Sequence, residues 1–275
     1  MPGVSFAVTA FREMGEPRRG GRMLFDCIEA ALAHPGIDEV VVVNDGSPDF
    51  AELVTEVSCW PLSHPNKLRL LGNDTNLGVF TNKIEAVAQA RGEWVITCDS
   101  DNVMDAAYID RALAVMGNPN TWYCPSFAKP NFDYRSFIGR WDAKSIGKML
   151  TMPVSHCAVN TGNQTVCREP FLDVFGKYRG VRRFDLMMPN YADISHEDRQ
   201  SETWWLSYGA CDSFLFNIHW MLSSPKRGIR FVEGLEYKHH VFEDRSGSNY
   251  DRAPKEKGVL NGALVEMMKS RATEP

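Results

Sequence analysis

Apolar positions in the first hundred residues follow two rhythms. Short, mostly apolar runs at residues 4–8, 40–43, 68–71 and 94–98 have the length of strands, and the four valines of 40–43 suit a strand covered on both faces. Between them, Leu24, Cys27, Ile28, Ala31 and Leu32 recur at helical spacing, and so do Phe80, Ile84, Val87 and Ala88. Pro35-Gly36 closes the first helix, residues 16–22 form a polar loop, and Asp45-Gly46-Ser47-Pro48 reads as a turn. Ile109, Ala112, Leu113 and Met116 mark one more helix. Strands alternating with helices predict an α/β fold, a mostly parallel sheet with right-handed crossovers. The polar residues that end the strands, near Thr9, Asp45 and Asp99, then fall on one edge of the sheet.

Beyond residue 118 the rhythm fades. Residues 118–152 are rich in aromatic residues, Pro, Asn and Lys, and their periodicity is weak. Phe214, Leu215, Ile218, Met221 and Leu222 predict a later helix and residues 229–232 a strand. Val259, Leu260, Ala263, Leu264, Met267 and Met268 form a C-terminal amphipathic stripe, read as core packing with membrane-surface contact as the alternative. No repeat or linker interrupts the chain, which is expected to be one domain: a nucleotide-binding half to residue 102 and an acceptor half from 103 to 275.

The chemistry concentrates where the fourth apolar run stops. Trp94-Val-Ile-Thr-Cys-Asp-Ser-Asp-Asn102 ends in two carboxylates, Asp99 and Asp101, separated by Ser100. The carboxyl edge of an open α/β sheet is where ligands bind. Two neighbouring acids there repel unless a cation compensates them, and a divalent metal shared with a diphosphate would do so. A net charge of −5 argues against general nucleic-acid binding through a basic face. The seven cysteines are odd in number, widely spaced and without a C-x-x-C pair, so neither a zinc site nor a disulfide framework is expected, and a reducing cytoplasm is. Cys98 and Cys211 read as small buried hydrophobes. No signal-like or membrane-spanning segment is visible.

Four stretches in order carry a resemblance: residues 4–13, Val42-Val-Asn-Asp-Gly-Ser-Pro-Asp49, Asn76-Leu-Gly78 and Arg91-Gly-Glu-Trp-Val-Ile-Thr-Cys-Asp-Ser-Asp101. Together they resemble family 2 glycosyltransferases, whose fold is the GT-A type, with a Rossmann-like central sheet flanked by helices. The resemblance implies an inverting enzyme that uses Mn²⁺ or Mg²⁺ to move a sugar from a nucleotide diphosphate, with uridine as the expected nucleoside, to an acceptor hydroxyl. Thr9 and Phe11 would contact and stack on the nucleoside, and Asp45 would accept the imino N–H of uracil. Lys83 would neutralise phosphate charge; it stands where the family often carries arginine. Asp99 and Ser100 belong to the donor site, Asp101 to the metal, with His239, chosen over His240, as a further metal ligand. Residues 161–163 and 166–168 resemble the donor-sugar loop. Asp212 would be the general base, although Cys211 replaces the first acid of the family's Glu-Asp pair.

Each residue also has a plainer reading: turn chemistry for Asp45, core packing for Phe11, a solvated lysine at 83, a helix N-cap at the paired acids, a structural histidine at 239 and helix-dipole stabilisation at Asp212. His196-Glu197-Asp198 is a rival acid cluster, and Trp204 and Trp205 could stack on an acceptor sugar. Asp99-Ser-Asp-Asn-Val103 also fits the D-x-D-x-[TV] pattern of haloacid-dehalogenase-like phosphatases, with Asp99 as nucleophile. Against this, two full strand–helix units precede the motif and no later Asp-Asp pair stands at a strand end. A non-catalytic sugar-nucleotide binder is a third reading. The acceptor, whether glycan, lipid, protein or small molecule, is not encoded in these motifs.

Overall fold

The computed structural model of the chain describes residues 3–15, 20–130, 132–153, 162–180 and 212–240. The first half alternates as expected. β1 (Val4–Ala10), α1 (Arg22–Ala33), β2 (Glu39–Asn44), α2 (Phe50–Ser58), β3 (Leu68–Gly72) and α3 (Val79–Gln89) lead to β4 (Trp94–Asp99). These strands lie side by side in the order β3-β2-β1-β4, all parallel. All six residues of β2 are buried, which is why its valines show no alternation. The apolar stripe of α1 packs inward from Met23 to Leu32. Each such aliphatic side chain contributes roughly 1.5–3 kcal/mol when fully removed from water.

Three strand–helix units precede the paired acids, where the sequence pattern suggested two. The addition is α2, whose stripe is faint because it buries only Leu53 and leaves Val54 42% exposed. The loop expected at residues 16–22 also ends sooner, because Arg22 already begins α1.

The second half continues the same sheet. β5 (Asn102–Val103), α4 (Ala106–Val115), β6 (Thr121–Lys129), β7 (Phe132–Asp133), β8 (Gly139–Asp142), α5 (Ile146–Leu150), β9 (Thr165–Cys167) and α6 (Arg168–Phe175) follow. After them come α7 (Asp212–Leu222) and β10 (Gly228–His239). The order runs on from β4 through β9, β6 and β10 to β5. β9 is antiparallel to β4 and to β6, so β6 runs in the direction of β4, and β10 is parallel to β6. The carboxyl ends of β1, β2, β3, β4, β6 and β10 therefore share one edge.

β6 lies inside the stretch whose periodicity is weak. It is buried on both faces over most of its length, so it does not alternate, and Pro125 in mid-run argues against a central strand. The structure accommodates Pro125 beside an irregularity: the register with β10 shifts between Val232 and Glu236, and Gly234 there adopts φ 75°. Trp122 of β6 stacks on Trp220 of α7 at 4.7 Å and on Phe171 of α6 at 5.6 Å, fixing both helices to the sheet. Among the described residues no helix is long and apolar enough to cross a membrane. The 259–268 stripe, His196-Glu197-Asp198, Trp204, Trp205 and Cys211 lie outside the described residues.

Candidate active site

The parallel register sets the geometry of the edge. Thr9 is the Cα partner of Asp99, and Ala10 that of Asn44. The Thr9 hydroxyl donates to Asp99 Oδ1 at 3.1 Å, and the Ser100 amide donates to the Thr9 carbonyl at 3.1 Å. Lys83, near the start of α3, reaches the same carboxylate: its Nζ lies 3.2 Å from Asp99 Oδ1 and donates to Ser213 Oγ at 3.4 Å. The Lys83 side chain is only 9% exposed, so this is no solvated surface lysine. The cation that compensates Asp99 is thus supplied by the chain itself. The N-cap role considered for the paired acids belongs instead to Asp105, whose side chain accepts from the Tyr108 amide and starts α4.

The expected donor-sugar loop completes this wall, together with Tyr237 of β10. The Asp99 amide donates to Asn163 Oδ1 at 2.9 Å, and Asn163 also hydrogen-bonds Tyr237 of β10. Burial, together with the neighbouring Tyr134, pushes the Tyr237 phenol well up, so it stays protonated. The backbone of residues 162–164 is anchored to β4 through the Thr97 hydroxyl, which donates to the Gln164 carbonyl at 3.0 Å. A Cβ on Gly162 would stand 2.7 Å from Lys83 Nζ and closer still to Ser213 Oγ, so a larger residue there would push the lysine or the serine hydroxyl aside. The segment expected as a donor-sugar loop therefore packs against the acid–lysine pair from one side.

Asp45 sits at the end of β2 and is 4% exposed. Its Oδ1 accepts from Asn73 Nδ2 at 3.1 Å and from the Leu77 amide at 2.8 Å, and its Oδ2 accepts from the Gly78 amide at 2.9 Å. The local turn bond falls to Asn44, whose Oδ1 accepts from the Ser47 amide at 2.8 Å, while the Asp45 carboxylate holds the loop after β3, which leads directly into α3 and Lys83. Gly46 beside it adopts φ 65°, and a Cβ there would lie 2.4 Å from the Thr75 backbone. Phe11 leaves β1 half-buried, with the Arg12 guanidinium 5.2 Å from its ring centre. Ser100, expected to bind the donor, is 3% exposed, and its hydroxyl donates inward to Glu13 Oε1 at 2.7 Å.

Asp101 is half-buried, and the β10–β5 register pairs the next residue, Asn102, with His239. The fold thereby brings a residue from the far end of the described chain beside the second acid. His239 is half-buried and packs edge-on against Phe132 at 5.2 Å. Asp212 is the first residue of α7, and Ser213 beside it touches Lys83; the Asp212 side chain lies outside what the structure describes. Cys98 is buried against Cys27, with the two sulfurs 3.6 Å apart. Burial, Cys27 and the nearby Asp99 and Asp101 charges push its thiol well up, which suits a packing role. Among the described residues no three His, Cys, Asp or Glu side chains converge as a ready-made metal cage.

An acid, a buried lysine and hydroxyls gathered at the carboxyl edge of a parallel sheet define an α/β enzyme whose ligand site lies at that edge. The family model for Glycosyl transferase family 2 matches residues 5–186, well over half the chain, and the protein belongs to that family: it is a glycosyltransferase of the GT-A fold. The S. aureus TarS fragment 1–349 is similar in structure, with a TM-score of 0.53 and 15% identity, over 99% of this chain and 67% of that one. The same fragment in complex with UDP gives a TM-score of 0.54, again at 15% identity over 99% and 67%. No curated protein sequence matches the chain. Membership in this family sets aside the phosphatase reading.

Proposed function

We propose that the enzyme is an inverting, metal-dependent transferase that moves a sugar from a UDP-sugar to an acceptor hydroxyl. The observation that carries this reading is the convergence on Asp99 of Thr9 and Lys83 at the carboxyl edge, beside Asp101. A buried ammonium next to an acid pair is suited to a diphosphate that arrives with its own cation. UDP is supported as the nucleotide by the UDP complex of the structurally similar TarS fragment.

Mg²⁺ or Mn²⁺ commonly binds through one or two carboxylates plus phosphate oxygens. Asp101 would supply such a carboxylate and His239 would add an imidazole nitrogen: both are half-buried, and His239 pairs with Asn102, the residue next to Asp101. A metal held there would help stabilise the charge of the departing diphosphate. Lys83 supplies a fixed positive charge from the protein side, and Thr9 orients Asp99 toward the ribose. Phe11 stacks on the base. The three hydrogen bonds that Asp45 already accepts favour its shaping the base pocket through residues 73–78 over direct contact with the imino group. Asp212, at the start of α7 next to the Lys83–Ser213 contact, is the general base that takes the proton of the attacking hydroxyl.

Asp101→Ala should abolish Mn²⁺- or Mg²⁺-dependent hydrolysis of, or transfer from, a UDP-sugar while the protein stays folded. Normal turnover by that variant would reject the metal assignment.

A further inference from the structure

We propose that Glu13 is a positioning residue: acting through Ser100, it sets the conformation of the Asp99–Asp101 segment. This rests on the assignment of that segment to the donor site. Glu13 follows β1 and is fully buried, an uncommon location for a carboxylate. Its Oε1 accepts from the Ser100 hydroxyl at 2.7 Å and from the Phe11 amide at 3.1 Å. One oxygen thus joins the middle residue of the acid pair to the loop that carries Phe11.

The loop itself is held at every step. Arg12 has φ 53°, the only non-glycine residue with positive φ among those described, a strained conformation that tends to cluster at functional sites. The Arg12 amide donates to Ser47 Oγ at 2.9 Å, the Met14 amide to Asp49 Oδ2 at 3.0 Å, and the Gly21 amide to the Glu13 carbonyl at 2.8 Å. Residues 11–14 therefore tie the turn after β2 to the acid pair after β4. Ser100 points inward to Glu13, and its neighbour Asp99 is directed by Thr9 and Lys83. Loss of the Glu13–Ser100 bond lets the turn rotate, and misplacement of a binding group by about 1 Å can cost on the order of 100-fold in rate.

The test is UDP binding by calorimetry with MnCl₂, on wild type, Glu13→Ala, Glu13→Gln, Ser100→Ala and the Glu13→Ala/Ser100→Ala double variant, with circular dichroism and melting as folding checks. Glu13→Ala and Ser100→Ala are each expected to weaken UDP binding about tenfold, and the double variant no further than the worse single, because both remove one bond. Glu13→Gln, whose amide oxygen accepts the same two hydrogen bonds, should stay within about threefold of wild type. Unaltered UDP affinity in Ser100→Ala, or losses that multiply in the double variant, would overturn the inference, and Ser100→Ala keeps the test decisive if Glu13→Ala fails to fold. Asp101→Ala separates the two levels. If it too binds UDP and turns over normally, the donor-site reading falls; if it is impaired while the Glu13 and Ser100 variants are not, only the positioning role falls.

Discussion

Lys83 shows how much one side chain carries at this site. Its ammonium is the chain's own counter-charge for Asp99, held 3.2 Å away with Ser213 as a second contact. Lys83→Ala leaves Asp99 and Asp101 facing each other without that cation. The expected outcome is a fall of about 10²-fold in kcat/KM for a UDP-sugar, read in a steady-state assay. Lys83→Arg should not restore activity, because Gly162 closes against Nζ and leaves no room for a forked, planar guanidinium. Wild-type rates in either variant would remove Lys83 from the diphosphate site. Gly162→Ala should act in the same direction, since its new Cβ would displace the lysine or Ser213.

At the scale of elements, the amino ends of the strands are stapled by Glu39 of β2. Its carboxylate accepts from the Ser5 hydroxyl of β1 at 2.8 Å, from Arg69 of β3 at 3.0 Å and from the Arg91 amide ahead of β4. Burial alone would push the Glu39 carboxyl up; the Arg91 amide, the Ser5 hydroxyl and the Arg69 guanidinium outweigh it and hold the group below its usual value. A lowered folded value means that the folded state binds the proton more weakly than the unfolded chain. The stability from Glu39 is thus fully present above the ordinary glutamate range and is lost as pH falls through the lower folded value. Urea titrations at pH 7 should show Glu39→Gln less stable by about 1.5–3 kcal/mol, with a shallower loss of stability below pH 4.5 than wild type. Equal acid sensitivity in both proteins would contradict the staple. Elements also differ in how they announce themselves. α1 and α3 show in the sequence because each buries a helical stripe. α2 barely does, with one buried apolar residue, and β6 hides because burial on both faces erases alternation.

For the whole molecule, ligand binding and stability are linked, because anything that binds the native state alone raises its melting temperature. At about 100 times its dissociation constant a ligand adds roughly 2.7 kcal/mol, a shift of about 5–10 °C for a chain of this size. Scanning fluorimetry with UDP-, GDP- and dTDP-sugars should show that shift for a UDP-sugar, larger with Mn²⁺ than without. An equal response to all three nucleotides, or none with metal, would refute the proposed donor. The sheet explains why one edge gathers the site: six strands in the two halves end there, although residues from β1 to β10 contribute.

Local pattern alone determined the strand–helix rhythm, the placement of Thr9, Asp45 and Asp99 at one edge, and the four stretches that mark the family, because burial and turn chemistry act over a few residues and leave periodic traces. The tertiary structure alone decided that Asp45 is spent on amides of the loop after β3, that Ser100 faces Glu13, that Gly162 and Ser213 close on Lys83, and that His239 arrives beside Asp101. Ser100 and Glu13 are 87 positions apart and Lys83 and Ser213 are 130 apart. Contacts across such separations arise only when the sheet aligns its strand ends, and no local periodicity records them.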